Sequence, residues 1–458
     1  MKNTIESALG ASGAFVRLIW IGVLTGALCI PLGLVSWTAL DRSNHRDEAV
    51  QEMTNSWGAS QKIIGPVLLL PFEKDTVDEE ITFLNGQRNV KERKTTTRHI
   101  AVLLPDDLKV TGDVDAKSLY RGIYRAAVYS TELQFAGDFP VPDFEEMGIK
   151  PDRILWDEAL VTVSVSDLRG TKGMLSLDLA GRSFPFLPGD ALSISSGVKA
   201  SLRGLGEWRE PVSFTFKINM RGSDSLQFSP VGKVTTVELQ SPWADPSFTG
   251  SFLPTERTIK PDGFHAKWDV SYYGRKYSQQ FLMGSQNQPA LQESLFGVNL
   301  VVLVDGYRCV LRALKYSVLF VGLAFMGFFI YEVLSASSVH TVQYLLVGLT
   351  LSLFFMLLLA LSEFISFPAA YGMAAFLTVG MIFLYCRSVL GKLRDAFLMG
   401  TGLTAIHIFL FTILQLEDYS LLVGTLGLLG GLGLVMYLTR KVNWSNIGQP
   451  VPPPLPKE

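Results

Sequence analysis

Apolar residues gather into blocks along this chain. From Leu18 to Leu40 there are 23 residues without a charge, and from Tyr316 onward long uncharged runs follow one another with short polar breaks. A bilayer core asks for about 20 apolar residues in a helix. The pattern therefore predicts a polytopic α-helical membrane protein with six transmembrane helices. The expected spans are Leu18–Leu40, Leu314–Leu334, Val339–Ser362, Phe364–Cys386, Ala396–Leu416 and Tyr419–Thr439. The first is longer than the apolar core of a signal peptide and no small-x-small site follows it, so it reads as an uncleaved anchor.

Between the first and second spans the period changes. Ala49, Met53 and Trp57 recur at i, i+4 and i+8, which makes 44–62 helix-compatible. "GPVLLLPF" (65–72) reads as a buried strand entered through Gly-Pro. Stretches 99–105, 126–137, 159–170, 213–222, 233–241, 263–274 and 296–306 then alternate or are β-branched, and end in turn residues. Strands at this spacing without interleaved helices predict a large all-β, sandwich-like domain inserted between helices 1 and 2. The expected domains are 1–40 (N-terminus and first span), 41–313 (β-rich), 314–441 (spans two to six) and 442–458, a Pro-rich tail.

Charge sets the expected orientation. The loop "RSVLGKLRD" (387–395) carries Arg387, Lys392 and Arg394, and Arg440 and Lys441 follow the last span. The alternate loops, at Glu363 and Glu417–Asp418, have neither Lys nor Arg. Basic short loops stay in the cytoplasm, so both termini are expected there and the β-rich domain in the periplasm of a bacterial inner membrane. Arg42, Arg46, Arg308, Arg312 and Lys315 run against this trend, but long domains cross membranes largely regardless of charge. Net charge is −2, which gives no basic surplus for nucleic acid. The three cysteines, Cys29, Cys309 and Cys386, leave the segment 42–307 without a disulfide.

One stretch, "SPWADPSFTGSFLPTER" (241–257), is dense in Pro and aromatic residues. Pro242, Pro246 and Pro254 lack ladder donors and Gly250 permits φ > 0. The stretch reads as a turn-rich crossover, with Trp243, Phe248 and Phe252 plugging one end of a β core. Its "PWxxPSFxGxFLP" pattern, carried by Trp243, Pro246, Ser247, Phe248, Gly250, Phe252, Leu253 and Pro254, resembles the signature of the CreD family of inner-membrane proteins. Trp57, Gln61, Gly65, Pro66, Leu68 and Pro71 form a second similar pattern, and "GFHAKW" (263–268) resembles the strand after the signature. The second and third spans resemble the family's too, and the resemblance covers nearly the whole chain. It implies a role in cell-envelope integrity and stress response, tolerance of E-group colicins and control by a two-component system. It supplies no catalytic residues.

The residues themselves carry no reaction motif. There is no G-x-S-x-G, Walker A, H-E-x-x-H, C-x-x-C or G-x-G-x-x-G. His45, His99, His265, His340 and His407 are far apart. A non-enzymatic protein without cofactor or metal is expected, with the lipid bilayer and an envelope protein or lipid as partners. His407 lies near the middle of the fifth span, where an ionisable group is costly; it reads either as a neutral imidazole bonded to another helix or as a ligand or proton contact. The latter belongs to an alternative reading, a transporter or lipid-handling protein using spans two to six. Gly22 and Gly26, and Gly424, Gly427 and Gly431, are expected to let helices pack closely within the bundle.

Overall fold

The computed structural model describes residues 2–84, 87–192, 194–301, 306–335, 339–416 and 419–440; side chains are described for these except 2–18, 78–84, 87–93, 420 and 421. The Pro-rich tail, Glu417, Asp418 and Lys441 lie outside the described residues. Helices are α1 (Lys2–Trp57), α2 (Asn287–Glu293), α3 (Gly306–Lys315), α4 (Ser317–Ser335), α5 (Thr341–Ser362), α6 (Phe367–Leu390), α7 (Leu393–Gln415) and α8 (Ser420–Thr439). The chain divides into two units, Met1–Asp47 with Val304–Glu458, and Glu48–Leu303.

Among the described residues six helices are long and apolar enough to span a membrane: α1 and α4 to α8. Each falls on a span expected from hydropathy. The helix α3 was not expected. It turns Tyr307, Val310, Ala313 and Leu314 inward and leaves Arg308 and Lys315 exposed, an amphipathic pattern that a search for uncharged runs passes over. Close approach falls at fewer glycines than the small-residue spacing suggests. A Cβ on Gly348 would meet the Leu28 side chain at 2.2 Å, and one on Gly427 the Phe409 ring at 2.1 Å, whereas Gly22, Gly26 and Gly431 have nothing within 4 Å.

The β unit holds β1 (Gln61–Leu84), β2 (Gln87–Leu103), β3 (Asp107–Arg121), β4 (Tyr124–Phe139), β5 (Arg153–Ile154), β6 (Leu160–Val165), β7 (Ser176–Leu179), β8 (Arg182–Pro188) and β9 (Gly197–Ser201). It continues with β10 (Val212–Ser223), β11 (Ser225–Phe228), β12 (Val234–Ser241), β13 (Pro246–Gly250), β14 (Glu256–Lys260), β15 (Gly263–Ser271), β16 (Gln280–Leu282) and β17 (Phe296–Leu300). One sheet centres on β1, flanked by β11 and β2 on one side and β6 and β5 on the other. Beyond these lie β17 and β13, β16, and β9. The second sheet runs β7–β10–β4–β3–β12–β15–β14. Strand β8 joins the two, pairing with β7 and with β9.

Alternation explains the core. Along β10 the burial pattern is strictly two-residue from Val212 to Met220, as expected for one face on a core and one in water. Both sheets feed one buried cluster that includes Phe72, Phe135, Phe139, Phe214, Trp268 and Phe296. Phe135 stacks on Phe216 with centroids 4.6 Å apart. The chain enters at Gln61 and leaves at Leu300 through β1 and β17, and both pair with β11. The two ends of the inserted unit therefore sit one strand apart.

Candidate functional site

A polar concavity lies on the solvent face of the second sheet. Register sets it. Glu132, Asp113, Gln240 and His265 stand side by side on β4, β3, β12 and β15, and Gln134, Thr111, Glu238 and Lys267 form the next row. The alternate residues Leu133, Val110, Val237, Leu239 and Ala266 point into the core. The rows, apart from Lys267, line a cleft of about 510 Å³. A second hollow of about 440 Å³ adjoins it, shares Asp113, Gln240 and His265, and adds Asp115, Thr258, Lys260 and Asp262. His265 Nε2 lies 2.9 Å from Glu238 Oε1. Lys217 Nζ donates to Glu132 at 2.9 Å, and Gln240 Nε2 donates to Asp113. Asp113 and Glu132 are directly opposite, a like-charge placement that works against sheet stability. Among the described residues no group of three or more His, Cys, Asp or Glu is placed to hold a metal ion.

In the membrane unit His407 is buried, as its depth in the span implies. Its Nδ1 lies 2.9 Å from Leu403 O. A carbonyl only accepts, so Nδ1 carries the proton. The bond stays within α7; it does not join two helices. The ring stands edge-on to Phe320 of α4 and Phe354 of α5, at 4.7 and 5.0 Å, and Nε2 is buried with no hydrogen-bond partner among the described residues. The interhelical bond at this level runs from Tyr371 Oη of α6 to His407 O, at 2.8 Å. A groove of about 860 Å³ runs between α6 and α7, with Gly372, Ala375 and Gly400 among its small lining residues and Phe376, Phe383 and Phe397 among its aromatic ones.

Glu332 lies within the second expected span and was not singled out from the sequence. It is buried, accepting from Tyr344 Oη at 3.0 Å and from Val339 N at 3.2 Å, and so fastens α4 to the start of α5. At the other ends of the helices Glu363 accepts from Tyr307 Oη at 2.8 Å and lies 4.0 Å from Arg42 Nε.

The two signature patterns fasten the ends of the β unit. Trp57 Nε1 donates to Tyr129 O at 3.1 Å, and Arg221 and Lys117 lie 4.5 and 5.0 Å from its ring. Gly58 then ends α1: its φ is +143°, and a Cβ there would meet Arg221 O at 2.7 Å. The helix therefore stops short of the expected 62. Gln61 is wholly buried. Its Nε2 donates to Asp167 O and Arg221 O, each at 3.1 Å, and its Oε1 accepts from Asp167 N at 3.3 Å. Asp167 accepts from Ala59 N and from Arg169, whose guanidinium holds the carboxyl down at about 2. Gly65 and Pro66 sit at the irregularity between Ile64 and Val67 where β1 slips against β6. A Cβ on Gly65 would meet Thr162 O at 2.9 Å.

The second pattern serves the exit. Residues 246–250 form the edge strand β13 on β17, not only a turn; Pro246 is tolerated as its first residue. Phe248 packs edge-on against Phe264 and Trp268, and Phe252 against Phe296. Trp243 Nε1 donates to Val301 O at 3.2 Å. Gly250 has φ +102°, with Leu295 O only 2.2 Å from an added Cβ. Ser247 pairs with Asn299, Leu253 is exposed, and Pro254 leads into β14. None of these residues lines the cleft.

A family model described as "Inner membrane protein CreD" matches residues 13–445. The Inner membrane protein CreD of Escherichia coli strain K12 is 31% identical over 424 residues, covering 91% of this chain and 90% of its own length. The chain belongs to the CreD family. As a CreD family protein with six apolar helices, it is a multi-pass protein of the inner membrane. The family patterns around Trp57 and Trp243 account for how the β unit is held at its two ends. The cleft draws its residues from four strands far apart in sequence, so no contiguous pattern announces it.

Proposed function

We propose that this protein serves cell-envelope integrity by holding its β unit in the periplasm, with both termini cytoplasmic, and binding an envelope component there without catalysing a reaction. The supporting observation is the cleft on the second sheet. Its carboxylates, amides and imidazole bring acceptors and donors together over four strands. That chemistry suits a glycan or glycopeptide bearing hydroxyl and amino groups, and the open shape suits a polymer. An ammonium in the ligand would add to Lys217, which already faces Glu132, in relieving the like-charge pair Asp113–Glu132. The test is equilibrium binding of soluble peptidoglycan fragments to the full chain in lipid nanodiscs. Saturable binding that Glu238→Ala with Asp113→Ala weakens at least about tenfold, the equivalent of about 1.4 kcal/mol, supports the reading; no binding, or binding indifferent to the pair, overturns it.

The groove between α6 and α7 favours a second reading, a lipid-handling protein. It is separated from the first by native mass spectrometry of the full chain in nanodiscs, where a stoichiometric lipid lost on Gly372→Phe would support it.

A further inference from the structure

Strand β14 ends the second sheet. Its strand neighbour is β15, paired from Glu256↔Lys267 to Lys260↔Gly263. No other strand pairs with it among the described residues, and each of its five residues is exposed. Ile259 keeps 50% of its surface in solvent, and Leu253, just upstream, 66%. An edge strand offers backbone N–H and C=O groups to another chain, and proteins usually blunt such edges. The edge strand β13 shows that protection, beginning with a proline and lying half-buried. In β14 the charges are arranged differently.

We propose that two copies of this chain pair through β14, antiparallel, about a two-fold axis at Thr258. In that register Glu256 stands opposite Lys260 of the second copy, and Lys260 opposite its Glu256, on one face. On the other face Arg257 and Ile259 oppose each other twice, so the arginine stem covers the exposed isoleucine. Opposite charges directly across a strand pair stabilise it and like charges do the reverse. The neighbouring symmetric registers fail by that rule. Centring on Arg257 sets two arginines face to face, and centring on Ile259 sets Glu256 against Asp262. Thr258 is the one centre in the strand's middle three residues that opposes unlike charges throughout. An isologous contact of this kind closes on itself as a dimer.

The test uses the full chain in native membranes, with Cys29, Cys309 and Cys386 replaced by Ser and Thr258→Cys introduced. A short bis-maleimide should give a covalent dimer. Glu256→Lys should cut its yield at least about fivefold, because both unlike pairs become like pairs. Adding Lys260→Glu to that variant should restore the yield, since the reversed pair is complementary again; a fold defect would not be rescued this way. Absence of the dimer at Thr258, a dimer indifferent to Glu256→Lys, no recovery on charge reversal, or a product joined to a different protein would each overturn the proposal.

Discussion

Gln61 should be the most sensitive polar residue of the β unit. It fills a wholly buried position with two donated and one accepted bond to the backbone of Asp167 and Arg221, residues 106 and 160 positions away. Gln61→Leu keeps the volume but removes these bonds. The Asp167 N–H is then left buried with no acceptor, which costs about 1–3 kcal/mol, and two carbonyls lose a donor at about 1 kcal/mol each. Leucine returns about 1 kcal/mol through its apolar surface. The net loss is about 3 kcal/mol, or roughly 6–12 °C in Tm for a unit of this size. Gln61→Glu is nearly isosteric, yet it aims a carboxylate at two carbonyl oxygens. It should cost more than Gln61→Leu at pH 7.5, and recover part of the loss at pH 5 as the introduced carboxyl takes up a proton and can donate. The assay is thermal unfolding of the full chain in detergent, followed by tryptophan fluorescence, with the exposed Gln51→Leu as control. A Gln61→Leu change below about 0.5 kcal/mol, within the range of surface substitutions, would contradict this role for Gln61, as would a Gln61→Glu protein as stable as Gln61→Leu at pH 7.5.

Three further outcomes follow from the same geometry. Gly250→Ala should cost more than about 2 kcal/mol by denaturant unfolding, because strain at φ +102° adds to a clash with Leu295 O; Gly122→Ala, at φ +61° in open space, should cost only about 1 kcal/mol. The Asp167 carboxyl is held at about 2, below its ordinary 3.8. Its contribution is therefore fully present above pH 3.8 and lost as pH falls through 2. After discounting for the exposed Arg169, Asp167→Asn should cost about 1–2 kcal/mol at pH 7, and the difference should shrink toward pH 2 in urea titrations at stepped pH. His407→Phe removes an orphaned Nε2 and keeps a ring between Phe320 and Phe354. Thermal stability in nanodiscs should change by less than about 1.5 kcal/mol, whereas Tyr371→Phe, which breaks the bond to His407 O, should lower it by about 1 kcal/mol.

How much of this was legible in the sequence differs by element. The spans were, because a bilayer imposes a length on any uncharged helix. Strands with clean alternation, such as 213–222 and 263–271, were as well. The long hairpin of β1 and β2 was seen only at its apolar base, since beyond Phe72 its strands are rich in charge. There Glu73 is registered with Arg98, and Lys94 Nζ lies 2.7 Å from Asp75, a complementarity that needs the register to be known. Short strands such as β11 and β14 carry too few residues for a period to show. Gln61 was legible as part of a family pattern, but its role depends on partners more than 100 residues away. The cleft was illegible for the same reason, although His265 and its strand were recognised. Glu332 did offer a signal, an acid inside "FFIYEVLS" within the second expected span.

In the proposed function the cleft across β4, β3, β12 and β15 meets an envelope component in the periplasm. Site-specific photocrosslinking in living cells, from an amber-encoded benzophenone at Thr111, tests it most directly. The expected product is an adduct of glycan or glycopeptide composition that is lost when Asp113→Ala and Glu238→Ala are added. An adduct with a cytoplasmic protein, or no adduct while Thr111→Cys stays closed to an impermeant maleimide, would contradict it.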